Sequence, residues 1–80
     1  MERSDILKET NEIFVDILED DEIQLKDETT ADDVAGWNSL THIQLVVAIE
    51  KHFKIRFTSR EIQSWANVGE MITTIAGKKA

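Results

Sequence analysis

Eighty residues with no cysteine and a net charge of −7 describe one small acidic domain that neither a disulfide nor a zinc–thiolate site can stabilise. No apolar run approaches the roughly 20 residues that cross a membrane, and the acidity argues against a nucleic-acid partner. The charge is uneven, with 13 acids against 3 bases over residues 1–38 and 3 acids against 6 bases over residues 39–80.

The opening MERSDILKET is charged and lacks a long apolar core, so no secretory signal is expected and a cytoplasmic location is. Proline is absent, glycine is scarce and no β-branched alternation persists. The chain therefore reads as all-α, a single domain over residues 1–80.

The first helix is expected to start near Ser4 or Asp5, either of which can cap it. Ile6, Leu7, Thr10, Ile13, Phe14, Ile17 and Leu18 form one stripe at spacings of three and four. The acids Glu19, Asp20, Asp21 and Glu22 oppose the helix dipole at its C-terminus and should end it. Residues 19–38 then read as a long loop, a length that usually carries function. Ile23, Leu25, Val34 and Trp37 are its expected anchors, and one short helical turn inside it is in keeping with the pattern.

A second helix is expected from Ser39 to Phe53, capped by Asn38. At 100° per residue, Leu45, Val46, Ile49 and Phe53 share one face, and Leu40, Ile43 and Val47 share the roughly opposite one. A helix apolar on two sides is either deeply buried or has a second surface with a task. Leu40, Ile43 and Val47 are therefore a candidate strip for a partner or a cargo, unless another helix covers them. Thr58-Ser59-Arg60-Glu61 fits a capping box opening a short third helix that carries Ile62 and runs towards Trp65. A fourth opens at Asn67 with Val68, Met71, Ile72 and Ile75, and Gly77 is the expected stop. Lys78, Lys79 and Ala80 should fray. The Met and Trp side chains are expected to be core. Three main helices, a short third one and a long first loop make a small four-helix bundle.

Catalytic and metal chemistry find little support. His42 lies one turn after Ser39, but a serine–histidine pair needs a third group and oxyanion donors. His42 and His52 do not share a metal-ligand spacing. Read as a calcium loop from Asp20, the acidic stretch puts Leu25 where glycine belongs and Ala31 where a bidentate glutamate belongs. The serine of GWNSL, residues 36–40, remains. It is a first-turn residue, a nucleophile or an attachment handle. The handle reading fits best, because the free amides and positive dipole end of a helix N-terminus favour a phosphate. A group on Ser39 would then run along Leu40, Ile43 and Val47.

From Asp32 to Ile75 the sequence resembles the acyl carrier protein family. That family's Asp-Ser-Leu signature stands here as Asn38-Ser39-Leu40, followed by Leu45-Val46, Ala48-Ile49-Glu50 and Phe53 at the family's spacings. The resemblance implies that Ser39 accepts 4′-phosphopantetheine from coenzyme A, with Asn38 and Leu40 as the flanking motif. It implies a non-catalytic, monomeric carrier of acyl thioesters. Its partners would be a phosphopantetheinyl transferase and acyl-loading, elongating or transfer enzymes of fatty-acid, polyketide or related biosynthesis. It implies no metal, nucleic acid or membrane insertion. Two departures stand out. Asn38 replaces the usual aspartate, and the second helix carries Thr41, His42, Gln44, Lys51 and His52 where acids are usual, with only Glu50 acidic. They favour a specialised carrier. The alternative is a carrier-like interaction domain that is never modified.

Overall fold

The computed structural model describes residues 2–79. Helices α1 (Arg3–Leu18), α2 (Ser39–Phe53), α3 (Ser59–Ser64) and α4 (Val68–Lys79) follow in order, with a 3₁₀ turn over Ala31–Asp33 in the first loop. No strand occurs among the described residues.

The first helix starts earlier than its polar residues suggest. Arg3 is already helical, and Glu2 flanks it without a side-chain cap, so Ser4 and Asp5 lie inside the first turn instead of capping it. Arg3 has tertiary partners. Its guanidinium donates to Thr73 Oγ1 at 2.8 Å and to the Gly69 carbonyl at 2.9 Å, and it pairs with Asp27 at 3.3 Å. The helix ends on Glu19, a left-handed residue (φ 52°) whose amide bonds back to the Val15 carbonyl.

The stripe of α1 buries Ile6, Ile13 and Phe14 against Leu45, Ile49 and Phe53 of α2 and Val68, Met71, Ile72 and Ile75 of α4. Burial of about a dozen such side chains, each contributing roughly 1.5–3 kcal/mol, is the main force that holds the bundle. Thr10 is buried among them, and its hydroxyl has no hydrogen-bond partner among the described residues.

The long first loop is tied down at three points. Asn11 donates from Nδ2 to the Ile23 carbonyl at 3.1 Å and accepts from the Leu25 amide at 2.7 Å. That pair turns Ile23 and Leu25 into the core, where both are buried. Further on, the loop docks on the start of α4. The Val68 amide donates to the Thr29 carbonyl and the Gly69 amide to the Asp27 carbonyl, each at 2.8 Å. The approach is so close that a Cβ on Gly69 would stand 2.9 Å from the Asp27 carbonyl oxygen. Alanine normally favours a helix over glycine. Here Gly69→Ala is expected to destabilise by about 1–3 kcal/mol through overpacking. Thermal unfolding checks it, since each kcal/mol lowers the midpoint by roughly 4–8 °C in a domain of this size. A raised midpoint would show that the loop yields freely.

The Thr58 capping box forms as its sequence suggests, and α3 ends at Ser64 with Trp65 as its C-cap. Asn67 Oδ1 accepts from the Glu70 amide at 2.9 Å and so caps α4. Gly77 does not stop α4, which runs on to Lys79. Tertiary contacts hold that last turn: Lys78 pairs with Glu61 at 3.1 Å and Lys79 Nζ donates to the Phe53 carbonyl at 3.2 Å. Lys78 and Lys79 are therefore helical and anchored, not frayed; Ala80 lies outside the described residues.

Candidate functional site

Gly36 opens the site. Its φ of +85° is a left-handed conformation that glycine adopts without steric cost. The turn sends Trp37 inward, where its ring meets that of Phe14 almost at right angles, 4.9 Å apart between centroids. Asn38 then caps α2. Its Oδ1 accepts from the Leu40 and Thr41 amides, both at 3.0 Å. Thr41 completes the box, accepting from the Asn38 amide at 2.8 Å and donating to the Gly36 carbonyl at 2.7 Å. An asparagine oxygen thus does the capping that an aspartate would do.

Ser39 is the first residue of α2 and is exposed. Its hydroxyl makes no hydrogen bond among the described residues, and His42 bonds elsewhere. The expectation of several free amides needs correction. Asn38 occupies those of Leu40 and Thr41, which leaves the Ser39 amide and the helix dipole to meet a phosphate.

Beside Ser39 a groove of about 740 Å³ runs between α2, α3 and the start of α4. Ile43, Ile62 and Met71 line its apolar part. The strip on α2 divides at this edge. Ile43 borders the groove, whereas Leu40 and Val47 do not, and all three are open to solvent at 63%, 70% and 42% exposure. The third helix therefore does not cover them.

The two tryptophans are not simple core residues. Both are half-buried and line the groove, with His42 between them. Trp37 Nε1–H donates to His42 Nδ1 at 3.1 Å, and Trp65 Nε1–H donates to Thr74 Oγ1 at 3.0 Å. This cluster was not legible in the spacing, because Trp37 and Trp65 lie 28 positions apart. Its only local signal is the step from Trp37 to His42 across a helix start.

The far wall, α3, hangs on few contacts. Glu61 accepts from the Thr58 amide at 2.8 Å and pairs with Lys78. The Thr58 amide, and after it Lys78, hold the Glu61 carboxyl below the usual glutamate value of 4.5. A carboxylate lowered in the folded state stabilises above its unfolded pKa, and that contribution is lost as pH falls through the folded value. Amide exchange over Ser59–Ser64 is therefore expected to quicken as pH falls below the usual glutamate range and through the lowered Glu61 value, relative to the intrinsic acid profile. In Glu61→Gln, which keeps a capping-box residue, the step should vanish. A step that persists in the variant would assign it to another carboxylate.

The comparisons with known proteins agree with this geometry. Residues 11–75 match the family described as a phosphopantetheine attachment site. The fold is similar to the solution NMR structure of the holo acyl carrier protein from Geobacter metallireducens, with a TM-score of 0.86 and 38% sequence identity over 91% of this chain and 84% of that one. The cofactor is covalent 4′-phosphopantetheine. An exposed, unbonded hydroxyl at a helix N-terminus, with a groove alongside, fits its phosphodiester and its chain. A phosphopantetheine-attachment domain over most of its length, the chain belongs to the acyl carrier protein family.

Proposed function

We propose that the chain, as one domain over residues 1–80, carries acyl intermediates attached through Ser39 and presents them to partner enzymes. The observation that carries this reading is the position of Ser39, exposed and unbonded at the start of α2 beside the groove. When bound, the cofactor supplies a thiol that holds acyl groups as thioesters. The chain's own residues do the rest. Asn38 and Thr41 fix the helix start, so the backbone of Ser39 is set and its hydroxyl is open to a phosphopantetheinyl transferase. Covalent attachment then keeps each acyl group at high effective concentration for the next enzyme. The chain itself catalyses no step.

Leu40 and Val47, exposed on the outer face of α2, suit contact with acyl-loading, elongating or transfer enzymes. The C-terminal end of that face is basic. Lys51, Lys54 and Arg56 are exposed and make no ion pair among the described residues, while Glu50 accepts from the Phe57 amide at 2.8 Å. This surface, with the neutral Asn38, supports service in a specialised fatty-acid, polyketide or related pathway. A monomer in the cytoplasm is the expected state.

The test is incubation with coenzyme A and a broad-specificity phosphopantetheinyl transferase, followed by intact mass and peptide mapping. One added phosphopantetheine mapped to Ser39 supports the reading. No gain, even in Asn38→Asp, points instead to an unmodified interaction domain.

A further inference from the structure

The groove beside Ser39 is not a plain aliphatic channel. Three rings border it. The Trp37 and His42 rings lie side by side, 6.0 Å apart between centroids with 21° between planes, and Trp65 meets His42 at 6.2 Å and a steep 75°. Both tryptophans are held from behind: Trp37 by Phe14, Trp65 by Phe57 at 4.9 Å and by Thr74. The rings are therefore set before any ligand arrives.

His42 carries a second consequence. Its Nδ1 accepts the Trp37 indole proton, so that nitrogen bears none and the ring proton sits on Nε2. Nε2–H has no acceptor among the described residues. His42 lies one turn after Ser39, on the same side of α2, and both border the groove. A preset donor therefore waits beside the attachment point.

The remaining lining is mixed, with Ile43 and Ile62 beside the rings, and it opens no deep channel for a long saturated chain. Such a chain gains only by leaving water. Here the floor is Met71, 1% exposed, with Leu45, Ile49, Ile72 and Ile75 packed at 0% in the same core. The rim is polar, with Ser59, Gln63 and Asn67. A flat ring gains more, because aromatic pairs attract beyond their buried area.

We propose that the groove selects aromatic acyl groups, received along the Trp37–His42–Trp65 rings, with His42 Nε2–H donating to a carbonyl of the tethered chain. The proposal rests on attachment at Ser39. It makes His42 a positioning and specificity residue, not a catalytic one.

The test loads the full chain from benzoyl-coenzyme A and, separately, from heptanoyl-coenzyme A with a broad-specificity transferase. Intact mass verifies each product. A chain that gains no mass overturns the attachment reading and this inference with it. On loaded chains two quantities are read. One is thioester hydrolysis relative to the same acyl group on free pantetheine. The other is the position of the Trp37 and Trp65 indole N–H signals by NMR. The benzoyl group is expected to be protected about 2–10-fold more than the heptanoyl group and to shift both indoles. Equal or better protection of heptanoyl, or indoles that benzoyl leaves unmoved, overturns the preference with attachment intact. His42→Phe keeps a ring between the tryptophans but loses the donor. It should retain the indole shifts on benzoyl loading and lose most of the protection. Undiminished protection in that variant, with unchanged circular dichroism, removes the donor role.

Discussion

Ser39→Ala is expected to take up no phosphopantetheine under conditions in which the parent chain is modified completely. The effect is all-or-none, because alanine supplies no oxygen to bond to phosphorus and no other residue stands in for it. Thr41 is the nearest hydroxyl on α2, but it is engaged with the Asn38 amide and the Gly36 carbonyl. Ser59 and Ser64 lie on α3, a helix of six residues. The fold should hardly notice the change. Ser39 is exposed, its side chain makes no hydrogen bond among the described residues, and the cap belongs to Asn38. Surface changes of this kind stay within about 0.5 kcal/mol. Intact mass and thermal unfolding on the same sample separate the two effects. A variant that still gains one group moves the attachment point elsewhere, and mapping the modified peptide then finds it.

Phe14→Ala should have the largest effect on stability. Phe14 is 0% exposed, at the centre of the core shared by α1, α2 and α4. Truncating a buried phenylalanine to alanine costs about 3–5 kcal/mol, against a total stability of roughly 5–15 kcal/mol for native proteins. For a chain of this length that is a fall of roughly 4–8 °C in the midpoint per kcal/mol, tens of degrees in all. The change also reaches the site, since the Phe14 ring packs against Trp37 and Trp37 holds His42. Phe14→Leu keeps most of the apolar volume and removes that support. It should stay folded while the Trp37 indole signal moves. A fall of only a few degrees in Phe14→Ala would mean that the core closes over the gap. An unmoved indole in Phe14→Leu would mean that Trp37 is held by the loop alone.

The cap at Asn38, the capping box at Thr58 and the buried face Leu45, Val46, Ile49 and Phe53 follow from the sequence alone. Each is a local rule, in which a polar atom finds an amide two or three residues on, or a period of 3.6 collects apolar side chains on one side. The position of Ser39 at the head of α2, and the exposure to be expected of Leu40, Ile43 and Val47 in so short a chain, follow from the same periodicity. The ends of α1 and α2, at Leu18 and Phe53, were legible too, though not the backbone device that makes them. Glu19 and Lys54 adopt left-handed backbones, with φ of 52° and 58°, a task usually given to glycine. Gly77, the residue that looks like a stop, lies inside α4 because Lys78 and Lys79 find partners on α3 and α2. The start of α1 went the same way, set by the reach of Arg3 to α4 and the loop. The site divides along the same line. Its handle is one residue in a local frame, legible as a pattern. Its walls are not, because Trp37, His42 and Trp65 come together only when the loop, α2 and α3 pack, and the contacts that join them span distances along the chain that no period records.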